Sequence, residues 1–466
     1  MHVKTGRLDT LVPHMLRSQF LRPGFVRLSL QLGVARAMPA WAKLQFIHHG
    51  VHPDDLEWVL GRIDGLESWA DQWETLGRRR ERAGMTAMEA GRIEEARDHL
   101  LAASAAYNFS QYVLFLDPSR KDVLHASCVR TYSLAAAHFD PPAVPFHVPF
   151  HGRTLKGYLR VPAGDGPRPV VVLFHGTNAV KEELHWWGEA LVRRGIAVVA
   201  FDGPGLGETF HRLAHVAEPR PMGVAIVNHI ETIPELDPDA VAFMGLSLGG
   251  YCVIRMAAHD KRIRAVAAIS PPYSADVYWD VTLSSLRTEL AALYSMKVEE
   301  MEKHIPRITL EDALPDLTCP LMLASGGHDI ITPPEEAQRI FAAARCEREL
   351  IYYPRGAHDC FNVLGDLRPR MIGWLSKQLS RHHAPAPRPK RAAALRTDQA
   401  WLAAEAVDPD FADELRGEIH GPEWHAVDQP QNLAARFRWP WAMESDVEVI
   451  RQVGRTDRRL TVDSAT

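Results

Sequence analysis

Cysteine is scarce in this chain, and basic charge is not in excess. Five of the 466 residues are cysteine (Cys128, Cys252, Cys319, Cys346 and Cys360), and no two form a CxxC pair. An odd, dispersed set, with two members inside apolar stretches, argues against a disulfide framework and fits reduced thiols in a cytoplasmic enzyme. The formal net charge of −5 gives no basis for nucleic acid or an anionic membrane as a partner. No run approaches the ~20 apolar residues needed to span a bilayer. The first ten residues, Met1 to Thr10, lack the apolar core of a secretory signal. No His/Cys/Asp/Glu cluster has metal-site spacing, so neither metal nor cofactor is expected. His48-His49 and His382-His383 read as solvated pairs.

With 46% apolar and 24% charged residues, the chain has the makeup of an ordinary globular protein, and 466 residues suggest more than one domain. Residues 1–140 read as helical, a cap or a dimer surface. Leu56, Val59, Leu60, Ile63, Leu66, Trp69, Trp73 and Leu76 recur at helical spacing after Pro53-Asp-Asp55. Ile93 to Leu114 repeats the pattern, which Pro118 is expected to end.

From Val144 the period changes. Short β-rich runs occur at 144–149, 155–161, 169–174, 196–201, 240–245, 263–269, 320–325 and 349–353. Amphipathic stretches at 180–194, 248–260, 334–345 and 365–380 separate the later ones. Strands alternating with helices predict an α/β fold over 141–381, a mostly parallel sheet covered on both faces and opened by an antiparallel hairpin. Residues 271–317 interrupt the rhythm and are expected to form a lid, with Tyr273, Tyr278 and Trp279 as candidate substrate-binding residues. After His383 comes the stiff basic linker Ala-Pro-Ala-Pro-Arg-Pro-Lys-Arg, and the segment 382–466 has no assignable fold.

Gly245-Leu-Ser-Leu-Gly249 follows a strand-like run and precedes a helix-like one, the pattern of a nucleophile elbow in an α/β-hydrolase. Glycines flank the serine because a Cβ would crowd so tight a turn. The pentapeptide is only suggestive; the residues downstream decide the reading. A serine nucleophile needs a base to take its proton and a carboxylate to orient that base, in the chain order Ser, acid, His. Asp329 follows the apolar strand Leu321-Met-Leu-Ala-Ser325 and a glycine turn. His358 follows the next strand, Glu349-Leu-Ile-Tyr-Tyr353. Both fall at the C-terminal edge of the sheet, where open α/β sheets place their sites. The catalytic assignment is therefore Ser247 as nucleophile, His358 as general base then acid, and Asp329 as orienter.

Asp359 is a rival acid, but a sequence neighbour rarely reaches the ring nitrogen of the preceding histidine. His328 reads as a turn residue. The oxyanion hole should use the N–H of Leu248 and one from the loop His175-Gly-Thr-Asn178, Thr177 first and Asn178 second. His175 reads as shaping that loop, and Asp202 as capping the glycine-rich bend Phe201-Asp-Gly-Pro-Gly-Leu-Gly207, which lacks dinucleotide-loop spacing.

Gly176-Thr-Asn-Ala-Val-Lys-Glu-Glu183, Phe201-Asp-Gly-Pro-Gly-Leu-Gly-Glu208, Gly245-Leu-Ser-Leu-Gly-Gly250 and the Asp329 and His358 segments together carry a resemblance. Residues 140–380 resemble the α/β-hydrolases with an N-terminal helical domain, the group of 2,6-dihydroxypseudooxynicotine hydrolase and the fungal polyketide-shortening hydrolases. Ala96 to Phe115 is similar to the helix that precedes their sheet. The resemblance implies cleavage of an ester, or of the carbon–carbon bond of a β-diketone-like substrate, in a pocket between helical domain, lid and triad. In the nicotine-pathway member an acidic residue of the oxyanion loop assists carbon–carbon cleavage. The matching position here is Asn178, a neutral amide that cannot exchange a proton near neutral pH. The reading is thus a serine hydrolase of a small organic molecule, with ester, lactone or thioester slightly favoured. Acyl transfer through the same triad and a non-catalytic binding role on a hydrolase scaffold are the alternatives.

Overall fold

The computed structural model describes residues 38–461 apart from 39, 115–116, 211, 216, 277–278, 280–283, 330, 381–446 and 454–455. Among the described residues, five helices come first: α1 (Ala40–His48), α2 (Pro53–Leu60), α3 (Leu66–Glu89), α4 (Ile93–Gln111) and α5 (Pro118–Ala136). Two expectations for this region change. The periodic run from Leu56 to Leu76 is two helices, because Gly61 caps α2 and Gly65 starts α3. Pro118 opens α5 rather than closing α4: Asp117 Oδ1 accepts the Arg120 N–H at 3.0 Å, and a proline at the first helical position has no N–H to lose.

An aromatic cluster locks α1 onto α3 and α4. Phe46 stacks on Trp73 with centroids 5.2 Å apart and meets Phe109 edge-on at 4.6 Å. The Trp69 indole donates to the Phe109 carbonyl at 2.7 Å. Buried aromatic pairs of this kind contribute about 0.5–1.5 kcal/mol each beyond area burial. Their consequence is positional, since they hold the C-terminal end of α1 over the edge of the sheet.

The sheet follows: β1 (Val144–Phe150), β2 (Arg153–Arg160), β3 (Arg168–Phe174), β4 (Ala197–Phe201), β5 (Leu236–Leu246), β6 (Ile263–Ile269), β7 (Leu321–Gly326), β8 (Arg348–Tyr353), β9 (Glu448–Val453) and β10 (Thr456–Thr461). Their order is β1-β2-β4-β3-β5-β6-β7-β8-β9-β10. Strands β3 to β8 are parallel, and the β1–β2 hairpin joins antiparallel, as the sequence predicts. The remaining α-helices among the described residues are α6 (His185–Val192), α7 (Arg220–Ile230), α8 (Leu248–His259), α9 (Ser284–Leu293), α10 (Val298–His304), α11 (Pro334–Ala343) and α12 (Leu364–Ser380). Alternate residues of β3 enter opposite cores: Val170, Val172 and Phe174 pack with α7 and α8, whereas Val171 and Leu173 pack with α6 and α12. This two-faced burial explains the unbroken apolar runs of the parallel strands.

Helix α7, between the fourth and fifth strands in sequence, matches none of the amphipathic stretches named above. Pro221 in its first turn and Gly223 among its apolar positions mask the helical signature, because both residue types have low helix propensity. The C-terminal segment, unassigned from sequence, supplies β9 antiparallel to β8, and β10 beyond it. It thereby covers a sheet edge whose backbone groups would otherwise be unpaired.

Candidate active site

The turn between β5 and α8 is strained at one residue. Ser247 has φ +50° and ψ −119°, a conformation that costs a non-glycine residue about 1–3 kcal/mol. Its neighbours make that conformation possible. A Cβ on Gly245 would lie 2.3 Å from the Gly249 carbonyl carbon, and one on Gly249 would lie 2.5 Å from the His175 oxygen. The Ser247 N–H donates to Ile269 O at 2.8 Å, pinning the turn to β6. Leu248 begins α8, so its N–H has no acceptor inside the helix.

The loop after β3 lies against this turn. A Cβ on Gly176 would stand 3.3 Å from Ser247 Cβ. His175 fixes the loop as expected: Nδ1 faces the Gly176 carbonyl at 2.8 Å and Nε2 faces Asp202 Oδ1 at 2.9 Å. Both partners are acceptors, so both ring nitrogens donate. Burial opposes the charged ring, but the Asp202 carboxylate raises its pKa.

Asp202 also accepts the Lys181 N–H at 2.8 Å and the Lys181 ammonium at 3.0 Å. That ammonium reaches Glu208 at 2.7 Å and Glu182 at 2.9 Å. His125, Glu182 and Asp202 form the described group closest to a metal-ligand arrangement, joining residues 77 positions apart. Sequence spacing could not reveal it, and Lys181 supplies the positive charge among these groups. Lys181→Ala should therefore destabilise the fold by about 3–5 kcal/mol, because it leaves the buried Glu182 carboxylate without its cation, whereas Asp202 keeps His175 and Glu208 keeps Lys156. A urea titration checks this, and a change under 1 kcal/mol would contradict the role given to the ammonium.

Asp329 and His358 meet at the C-terminal edge of β7 and β8. His358 Nδ1 lies 3.0 and 2.9 Å from the two oxygens of Asp329. The carboxylate is fully buried and also accepts the N–H groups of Ile331 at 2.9 Å and Thr332 at 2.8 Å. Burial disfavours an imidazolium here, yet Asp329 and then Asp359 outweigh it and raise His358 to about 9. His358 and Ser247 open onto the same cavity of about 260 Å³, as do Thr177 and Asn178. Asn178 Oδ1 is buried there without a hydrogen-bond partner.

Several expectations about the surroundings change. Tyr273 and Trp279 do not line this cavity. Tyr273 lies under the Arg339 guanidinium at 4.0 Å, and its N–H donates to Glu336 at 2.8 Å. Trp279 packs into the main core with its indole N–H toward Glu302 at 3.4 Å. Tyr278 lies outside the described residues. From the 271–317 insertion, α9 instead sends Leu290 to the cavity wall.

His48 and His49 are not solvated, and His382-His383 lie outside the described residues. Burial, with the nearby Arg368 charge, pushes His48 down to about 3. His49 lines the cavity, where its Nε2 sits 3.2 Å from Glu183, which Asn108 and Tyr112 also contact. These helical-domain residues have no sequence signature, because the docking of α1 and α4 onto the sheet loop brings them there. A separate cleft of about 490 Å³ between α5 and β2 contains none of Ser247, Asp329 or His358.

A family profile described as Esterase FrsA-like matches residues 39–294, more than half of the chain. The chain belongs to that family. An acetyl xylan esterase profile also matches residues 222–378. The 2,6-dihydropseudooxynicotine hydrolase of Paenarthrobacter nicotinovorans is 28% identical over 342 residues, covering 72% of this chain and 90% of its own. The α/β-hydrolase gkaG of Penicillium citrinum is 30% identical over 251 residues, covering 50% of this chain and 58% of its own. The crystal structure of 2,6-dihydroxy-pseudo-oxynicotine hydrolase matches with a TM-score of 0.67 at 26% identity, covering 74% of this chain and 98% of that one. The protein is an α/β-hydrolase with an N-terminal helical region, and among its described residues no helix is long and apolar enough to cross a membrane.

Proposed function

We propose that this hydrolase cleaves an ester, lactone or thioester, or a carbon–carbon bond, of a small organic metabolite through an acyl-enzyme on Ser247. One observation carries the reading: Ser247 and His358 share a 260 Å³ cavity, and Asp329 holds the distal ring nitrogen of that histidine. A cavity of this size suits a metabolite rather than a polypeptide. In the proposed sequence His358 Nε2 takes the Ser247 proton as Oγ attacks the carbonyl. The Leu248 N–H and a donor from Thr177 or Asn178 bind the developing oxyanion, and each such donor is worth ~10²–10³ in rate. Water then repeats the attack on the acyl-enzyme. The helical-domain side chains and Leu290 close the substrate side of the pocket.

The acyl group itself is the test. The wild-type enzyme mixed with p-nitrophenyl acetate and quenched in acid during the first turnovers should hold one acetyl group on the peptide that contains Ser247, read by mass spectrometry. An acetyl group on another residue, or none, would overturn the proposal. The neutral Asn178 bears on the bond that is cleaved. Asn178→Glu places a proton-exchanging group in the loop and should raise β-diketone turnover relative to ester turnover by about tenfold, a modest share of what a well-placed general acid supplies. An unchanged ratio would remove Asn178 as the discriminating position.

A further inference from the structure

The residue after the histidine occupies an unusual place. Two consecutive non-glycine residues, Asp359 (φ +51°) and Cys360 (φ +54°), adopt left-handed backbone conformations. Such conformations are costly for a non-glycine residue and persist only where the surroundings enforce them. Here the Asp359 N–H donates to Ser270 Oγ at 3.1 Å, and the Cys360 N–H donates to Ala357 O at 2.9 Å. The double turn folds the chain back so that the side chain of Asp359 points into the catalytic cavity beside its own neighbour. Asp359 Oδ2 lies 3.5 Å from His358 Nε2, the nitrogen that faces away from Asp329. Asp359 Oδ1 is buried with no hydrogen-bond partner. Asp359 is therefore no substitute for Asp329. It stands on the opposite, reacting side of the ring.

We infer that Asp359 is a second proton-carrying catalytic residue, which donates to the departing fragment and is recharged from His358 Nε2. A permanently ionised carboxylate beside Ser247 would oppose the negative charge that grows on the substrate oxygen, and an unpartnered buried oxygen disfavours the anion. Burial is the main cause raising the Asp359 carboxyl to about 7; His358 opposes the rise, Asp329 and Glu183 add to it, and the Ser247 backbone opposes it. With His358 raised to about 9, the two groups titrate as a pair that keeps one proton between them through the neutral to mildly alkaline range. In one arrangement of that proton the imidazole is free to act as base while the carboxyl holds an acid proton.

The inference rests on the acyl-enzyme reading. Oγ of Ser247 bonds to the carbonyl carbon and its proton passes to His358 Nε2. The bond to the leaving group then breaks, and its electron pair departs with an alkoxide oxygen or an enolate. Asp359 protonates that fragment, and its carboxylate takes the proton held on Nε2. The neutral imidazole next accepts a proton from the water that attacks the acyl carbonyl. That proton returns to Ser247 Oγ as the carboxylic acid leaves, and Asp359 is again protonated. Such a donor matters in proportion to the basicity of the leaving group, and it would serve the chemistry for which Asn178 has no proton.

Phenyl, p-nitrophenyl and ethyl acetates form the same acetyl-enzyme and differ only in what departs. Asp359→Asn in the full chain should lower kcat/KM for ethyl acetate by about a hundredfold more than for p-nitrophenyl acetate, with phenyl acetate between them. Asp359→Glu should recover part of that difference. A loss of equal size on all three esters, the outcome of a purely structural role, would overturn the inference. If the variants do not fold, the wild-type pH profiles decide. The p-nitrophenyl ester should gain rate with rising pH and level off as Nε2 becomes free. The ethyl ester should rise and then fall, because its acid proton is lost at higher pH. Parallel profiles would overturn the assignment. Should Ser247→Ala retain turnover, the acyl-enzyme reading fails first; an inactive Ser247→Ala with parallel ester losses rejects Asp359 alone.

Discussion

Ser247→Ala should reduce turnover of a p-nitrophenyl ester by about 10⁶-fold while leaving the fold intact. Removing a nucleophile that acts as one unit with its base costs nearly as much as removing the whole set, and the remaining rate comes from binding and oxyanion stabilisation. The structure explains why stability should change little. Alanine, like serine, carries a Cβ, so the φ of +50° at this turn costs both residues alike. The Ser247 N–H bond to Ile269 O belongs to the backbone and survives the substitution. Stopped assays of p-nitrophenolate release, with a thermal melt on the same preparation, check both halves. Full activity in a folded variant would end the serine assignment.

Asp329→Asn should cost about 10⁴ in kcat with little change in structure. Both carboxylate oxygens face His358 Nδ1, so Nδ1 must carry a proton and Nε2 is left to act on Ser247. An amide in that place can turn its NH₂ toward Nδ1, which selects the wrong tautomer. The pH dependence should move as well. Burial lowers the pKa of His358, and Asp329 is the foremost group that raises it. A general base works when unprotonated, so wild-type activity fails as pH falls through the raised value. Without the carboxylate the acidic limb should shift to lower pH. A pH–rate profile of the slow variant reads this directly, and an unmoved limb would mean that Asp329 does not set the charge of the ring.

The residues assigned from sequence and those it missed divide along a physical line. Ser247, Asp329 and His358 were legible because each follows a strand of a parallel sheet, and the pattern of apolar runs and glycine turns already places those ends on one edge. His175 and Asp202 were legible for a related reason, since both end strands that are neighbours in the sheet, β3 and β4. Tyr273 and Trp279 misled because aromatic residues in an insertion resemble a pocket lining, although one lies under an arginine and the other completes a core. His49, Tyr112 and Glu183 were invisible because their shared position depends on how α1 and α4 settle on the loop before α6.

Local chemistry written along the chain specified the doubly covered sheet and the order of serine, aspartate and histidine at its rim. Periodicity and turn residues act over a few positions, and a parallel sheet converts them into a common edge with little freedom. The shape and polarity of the pocket came only with folding. They depend on the packing of the helical region against the sheet and on two adjacent left-handed residues that turn the Asp359 carboxyl toward Nε2. Forces between distant segments, and strain held in place by them, leave no mark on residue spacing.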